Sequence, residues 1–255
     1  MAPENFLQIE AGRNAETGAR LGGVTEGVTE IEELRPATGW NVVHLFCKVT
    51  ARADAEAIRA AVKSAADEQH QVIPFAVVGH KADVAFLVLG PDLVHLRRFQ
   101  AAIQRAGLEV ADSYVSITEV SEYAQGMPEH MLNARLYPQL PPEGKRAICF
   151  YPMSKRRNPE QNWFTLPYDD RKELMYEHGA SGRKFTGRIL QLITGSTGVD
   201  DYEWGVTLFG VHPDDLKETV YTMRYDRASA IYAEFGRFYT GIVGDIDEVL
   251  ELVGL

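Results

Sequence analysis

"WNVVHLFCKVTARADAEAIRAAVKSAADEQHQVIPFAVVG", residues 40–79, changes its periodicity twice. The first ten residues are apolar and β-branched, which predicts a strand. Asp54 then stands as an N-cap before a run of strong helix formers, which predicts a helix. "QVIPFAVVG" returns to strand character. Working outward, the turn at His80 and Lys81 leads into a further apolar strand, "ADVAFLVLG". "PDLVHLRRFQAAIQRAG" has Pro91 near its start and Gly107 just past its end, the usual punctuation of a helix. "SYVSITEVSEY" closes the unit as a strand. The order is β-α-β-β-α-β, a ferredoxin-like unit.

The same order returns after the proline-rich loop "YPQLPPEGK". "RAICFYPM" predicts a strand and "PYDDRKELMYEHG" a helix that ends at Gly179. "KFTGRILQLITG" and "YEWGVTLFG" predict a hairpin across "STGVDD". "HPDDLKETVYTMR" predicts a helix, and "ASAIYAEFGRFY" the last strand. The fold class is therefore α+β, with two fused ferredoxin-like units packing into one α+β barrel. The expected organisation is an arm at 1–38, one unit at 39–140 and a second at 141–255, with the boundary near Leu140 to Lys145.

Composition narrows the function. Of 255 residues, 45% are hydrophobic, enough for a sizeable core, and no apolar run is long enough to cross a membrane. The first residues lack the basic start and apolar block of a secretory signal. A net charge of −10 argues against general nucleic-acid binding, which needs a basic face. The two cysteines, Cys47 and Cys149, sit in apolar strand-like runs and read as buried free thiols in a reducing, cytoplasmic setting. Familiar nucleotide, zinc and serine-hydrolase motifs are absent.

"CFYPMSKRR", residues 149–157, is the chemical oddity. Alternation puts Cys149, Tyr151, Met153 and Lys155 on one strand face, with Ile148 and Phe150 on the other. Pro152 cannot donate to a ladder, which predicts an irregular or edge position. A phenol, a thioether and an ammonium on one face fit either a strand end breaking into a solvated turn or a site for an acidic, partly apolar ligand. His178 shares a helix face with Arg171, Leu174 and Met175, and is placed in the last turn of its helix. There it is either a cap favoured by the helix dipole or an axial ligand to a haem-type iron. The other six histidines show no paired metal-ligand spacing. Gln191 reads as a buried amide between Ile189 and Ile193, in need of backbone or ligand partners. Arg135, Arg224 and Ser229 are surface residues or, alternatively, anchors for carboxylates.

The strings "ICFYPMSKRR", "LQLITGS", "EWGVTLF" and "AEFGRFYTG" resemble the coproheme decarboxylases, the haem-synthesising branch of the chlorite dismutase family. The likeness spans residues 114–241. It implies a homopentamer, coproheme (iron-coproporphyrin III) as both substrate and cofactor, and haem b as product. By resemblance, His178 is the iron ligand, Tyr151 the redox-active tyrosine and Lys155 the binder of the reacting propionate. Gln191 takes the distal position, and Met153, Arg135, Arg224 and Ser229 line the porphyrin or hold propionates. Glu203 and Asp226 are the candidates for the far nitrogen of His178. The implied reaction uses hydrogen peroxide and a Tyr151 radical to turn two propionates into vinyl groups. A ferrochelatase is the implied supplier of coproheme. The alternatives are a chlorite dismutase-like or peroxidase haem enzyme, or a non-catalytic haem carrier or sensor. Chlorite dismutases carry an arginine at the distal position, whereas Gln191 is neutral.

Overall fold

The computed structural model describes residues 31–67, 69–124 and 126–255. The expected arm falls outside them as far as residue 30.

The first half runs β1 Asn41–Val49, α1 Ala55–Ala65, β2 Gln71–Val77, β3 Val84–Gly90, α2 Leu93–Arg105 and β4 Leu108–Thr118. Helices α1 and α2 start where a side chain can satisfy their orphan N–H groups. Asp54 accepts from Ala57 N at 3.0 Å, and Asp92, the residue after Pro91, accepts from Val94 and His95 N. Gly107 (φ 92°) makes the turn from α2 to β4; an added Cβ would lie 2.2 Å from the Arg52 carbonyl oxygen. A short α3, Glu129–Leu136, follows. The sequence pattern gives no hint of it, because none of its residues is buried.

The second half contains β5 Ala147–Lys155, a small hairpin of β6 Arg157–Asn158 and β7 Gln161–Asn162, a 3-10 turn at Trp163–Thr165 and α4 Tyr168–Arg183. Then come β8 Ile189–Gly195, β9 Trp204–Gly210, α5 Pro213–Met223, α6 Arg227–Tyr232, β10 Ala233–Phe235, β11 Tyr239–Val243 and α7 Ile246–Leu252.

The strands of the first half lie in the order β2-β3-β1-β4, and those of the second as β11-β5-β9-β8. Ladders β4–β8 and β11–β2 join the two sheets at both edges, so the eight strands close on themselves. Closure removes the exposed edges. At the β11–β2 seam a Cβ on Gly241 would lie 2.3 Å from the Ala76 carbonyl oxygen, so only glycine lets the backbones meet.

Strand alternation then sorts the side chains. Val42, Phe46, Phe75, Leu87, Tyr114, Ile148, Phe150, Leu192 and Phe209 fill the barrel. On the outer face of the first half, Leu45, Phe86 and Val88 pack against Ile58 of α1 and Leu96 and Phe99 of α2 as a solid layer. On the outer face of the second half, Cys149, Tyr151, Val206 and Leu208 meet Leu216 of α5.

Three local expectations need correction. First, α4 does not stop at Gly179 but continues to Arg183. The left-handed glycine that serves the turn is Gly187 (φ 85°), so His178 lies inside the helix and the last-turn dipole argument lapses. Second, "ASAIYAEFGRFY" is not one strand. Asp226 accepts from Ser229 N at 2.9 Å and caps α6, which leads into the separate β10 and β11. Third, of the two readings for Pro152 the irregular one holds and the edge one does not: Pro152 lies opposite Gly205 of β9, and Met153 to Lys155 pair with β10. Pro152 falls in the gap between the β10 and β11 ladders, where its missing N–H is tolerated, and its carbonyl accepts from Gly236 N at 2.8 Å.

Candidate active site

Between the outer face of the second sheet and the helices α4 and α5 lies a cavity of about 580 Å³. That size suits a ligand of several hundred daltons. Its strand wall carries Tyr151, Met153, Gln191, Ile193, Trp204 and Val206; its helix wall carries Arg171, Met175, His178, Val220, Met223 and Arg224. The lining combines apolar side chains with the cations Lys155, Arg171 and Arg224.

His178 is fixed from behind. Its Nδ1 lies 3.0 Å from Asp226 Oδ2 and 3.2 Å from Ser229 Oγ. A buried carboxylate accepts from Nδ1–H, which leaves the lone pair of Nε2 for the cavity. Burial works against the charge of Asp226, but hydrogen bonds from His178 and Ser229 outweigh it and hold the carboxyl below its usual range. Of the two candidates for this role, Asp226 fills it. Glu203 instead accepts from Lys155 N at 2.8 Å and pairs with Arg157.

Lys155 is 6% exposed. Its Nζ donates to the Ala228 carbonyl oxygen at 2.9 Å and lies 4.7 Å from the centre of the Trp163 ring. Burial pulls its pKa down to about 8, against the attraction of Asp226 and Glu203. An ammonium has three donors, and one is spent among the described residues. Lys155 therefore neither snorkels into solvent nor finds a carboxylate of its own. Arg156 and Arg157 do find partners: Arg156 with Glu234 at 3.3 Å, and Arg157 with Glu203.

Tyr151 is equally buried, stacked 4.5 Å from Phe238 and edge-on to Phe235 at 5.5 Å. Burial, with a smaller contribution from Cys149, pushes its phenol well above the ordinary range. The hydroxyl is therefore protonated at all ordinary pH values.

The structure brings Tyr151, Met153, Lys155, His178, Gln191, Arg224 and Ser229 to one cavity. Gln191 is not the buried amide expected from its neighbours; it is exposed on the cavity wall, as is Ile193. Arg135 does not line the cavity. It lies exposed on α3, where its guanidinium reaches the Met131 carbonyl oxygen at 3.0 Å. Sequence reasoning passed over Trp163, although it follows shortly after the "CFYPMSKRR" stretch and forms the floor under Lys155.

The other six histidines show no paired ligand spacing in sequence, yet the fold brings two of them together. Asp67, His70 and His95 cluster, with the two rings stacked at 3.8 Å. Both nitrogens of His70 are already used, Nδ1 by Asp67 at 3.1 Å and Nε2 by Asp92 N at 3.4 Å, so the cluster reads as structural.

The residues fit an anionic tetrapyrrole. A histidine is oriented with one nitrogen free, the adjoining walls are apolar, and a buried ammonium has unspent donors.

Residues 51–244 match the family described as chlorite dismutase. Coproheme decarboxylase of Staphylococcus carnosus is 45% identical over 181 residues, covering 66% of this chain and 71% of that one. The Staphylococcus saprophyticus protein of the same name is 42% identical over 193 residues, covering 71% and 76%. A provisionally named heme-binding protein of Natronomonas pharaonis is 46% identical over 184 residues, but the match spans only 30% of its length. Among solved structures, a heme-binding protein from Thermus thermophilus is 36% identical with a TM-score of 0.76, covering 88% of this chain and 100% of that one. A chlorite dismutase variant from Candidatus Nitrospira defluvii reaches a TM-score of 0.70 at 18% identity, covering 86% and 98%, and bears on the fold alone.

Proposed function

The chain belongs to the chlorite dismutase family, and from that premise we propose that it converts coproheme to haem b by peroxide-dependent oxidative decarboxylation of two propionates. The observation that supports this most directly is the shared strand face of Tyr151 and Lys155, opening into the cavity that also receives His178.

Coproheme is the substrate, and when bound it supplies the two-electron reaction with hydrogen peroxide. The protein does the rest. His178 holds the iron through Nε2, with Asp226 fixing the tautomer. Met153 and Val206 on one wall and Met175 on the other enclose the apolar faces. Lys155 donates to the reacting propionate, and Arg224 takes another carboxylate at the rim. Ser229 Oγ is already engaged with His178, so its part is to steady the imidazole. Burial of a carboxylate is costly unless it is paired, and the unspent donors of Lys155 meet that need.

Tyr151 is the relay. It gives up an electron and its phenolic proton, and the phenoxyl takes a hydrogen atom from the propionate β-carbon. Loss of carbon dioxide and one further electron leaves a vinyl group. For each propionate, one peroxide and one proton are consumed and two waters form. The aromatic enclosure by Phe235 and Phe238 holds the phenol in place, which matters because positioning supplies much of the acceleration. A carrier needs no such residue. Gln191, being neutral, offers no charge to hold chlorite.

The test is to add titrated peroxide to the coproheme-loaded protein and weigh the porphyrin. Successive losses to haem b are expected; unchanged coproheme would refute the proposal. The same reading includes a homopentamer, to be checked by mass photometry as a five-fold multiple of the chain mass, and delivery of coproheme by a ferrochelatase. It also includes a cytoplasmic setting. Both cysteines are free and buried, and among the described residues no helix is long and apolar enough to cross a membrane.

A further inference from the structure

Gln191 cannot take up a proton, and the helix wall holds His178, so the strand wall has no obvious base for the oxidant. Glu119, the residue just past β4, lines that wall. Its Oε1 accepts from Trp204 Nε1 at 3.1 Å, which fixes the carboxylate. The other oxygen lies over Gly195; a Cβ there would approach Oε2 to 2.2 Å, so the glycine makes room for the carboxylate. Oε2 has no hydrogen-bond partner among the described residues.

Glu119 and Val120 also line a second cleft of about 390 Å³, together with Thr38, Thr118, Ser196 and Thr197. Glu119 thus stands in the wall shared by this second cleft and the main cavity. A small polar oxidant or water can meet it from one side while the tetrapyrrole occupies the other.

We propose that Glu119 is the proton acceptor for hydrogen peroxide on the strand wall of the cavity, opposite His178. This rests on the functional reading above. The step is balanced: a peroxide O–H bond breaks, the proton goes to Glu119 Oε2, and the electron pair stays on the hydroperoxide anion, for which a bound coproheme would supply the iron. Glu119 returns the proton when water leaves. The side chain is exposed to the cavity, and partial desolvation there raises its carboxyl above the ordinary range against the opposing hydrogen bond from Trp204. The other charged groups around the cavity are Glu122 on the same loop, Arg171 and His178 on α4, Lys155 on β5 and Arg224 after α5. Glu122 lies 3.5 Å from Arg171 Nη2, so it is partly paired where Glu119 is not.

The experiment compares wild type with Glu119→Gln and Glu119→Asp, each first checked for an unchanged thermal melt when unloaded. Trp204 reports on the carboxylate, so the unloaded wild type should show a tryptophan fluorescence step on acidification that Glu119→Gln lacks. In the coproheme-loaded protein, the rate of reaction with hydrogen peroxide should fall by about 100-fold in Glu119→Gln and lose its acid limb, the usual scale for a lost general base. Glu119→Asp should restore part of the rate and the limb. A peroxy acid, whose O–H is far more acidic, should react within about three-fold of wild type. An unchanged hydrogen peroxide rate in Glu119→Gln overturns the proposal, as does an equal loss with both oxidants. If wild type consumes peroxide without forming haem b, the decarboxylase reading falls, while the peroxide rates still decide the role of Glu119.

Discussion

Replacing Lys155 with methionine should stabilise the unloaded protein while abolishing its grip on substrate. The ammonium is 6% exposed and, among the described residues, has no carboxylate in direct contact and one hydrogen bond, to the Ala228 carbonyl oxygen at 2.9 Å. Its pKa falls from 10.5 to about 8 on folding. A drop of that size corresponds to about 3 kcal/mol of unfavourable charge burial at neutral pH. Methionine removes that cost and keeps the apolar stem, but loses the Ala228 bond and the contact with Trp163, worth about 1–2 kcal/mol together. The net expectation is a gain of about 1–2 kcal/mol for Lys155→Met at pH 7, read from urea unfolding. The pH dependence gives a sharper check. Between pH 8 and 10.5 the folded wild type has lost the proton while the unfolded chain retains it, so wild-type stability rises with pH. The gap between variant and wild type should therefore shift by about 2 kcal/mol in favour of wild type from pH 7 to 9.5. Coproheme affinity should fall in the same variant. A variant less stable than wild type at pH 7, with a gap that does not move by pH 9.5, would show that the ammonium is not held at a cost and refute the reasoning.

Other expectations concern the tyrosine, the aspartate and the barrel interior. Tyr151→Phe should bind coproheme as wild type does but yield no haem b with peroxide; normal product by mass spectrometry would remove the radical relay. Asp226→Asn frees the His178 ring, and affinity for iron porphyrin should drop by about 10–100-fold, measured by transfer to a haem scavenger; unaltered affinity would reassign the partner. His44 is fully buried in the barrel, stacked 4.0 Å from Phe150 with Nδ1 unpaired, and burial lowers its pKa to about 3. The unfolded chain takes up this proton near pH 6.5 and the native state does not, so stability falls as pH drops. From pH 7.5 to 5, wild type should lose about 2 kcal/mol more than His44→Gln; parallel losses would contradict this.

Periodicity and caps made the barrel readable before any coordinates. Asp54 before "AEAIRAAV" and the alternation in "AICFYPMSK" each carry their physics locally. The failures arise where the cause is distant. Alternation says which face Gln191 is on, but not whether that face is covered by a helix or borders a cavity. Gly179 is an ordinary helical residue here, since a glycine ends a helix only when its φ turns positive, as Gly187 does. Asp226 could have been recognised as a cap from its spacing to Ser229, and that would have separated α6 from the last strands. His70 and His95 are far apart in sequence, and only the packing of α2 beside the start of β2 makes them neighbours. Arg135 entered the site as a possible carboxylate anchor and by likeness, and α3 carries it elsewhere.

The layer beneath the helices is filled in one half of the barrel and hollow in the other. One half thus acts as ballast, and the other is left with slack. Amide exchange should register the imbalance: α1 and α2 slow whatever the ligand state, α4 and α6 fast until a tetrapyrrole arrives to do the work that leucines and phenylalanines do across the barrel.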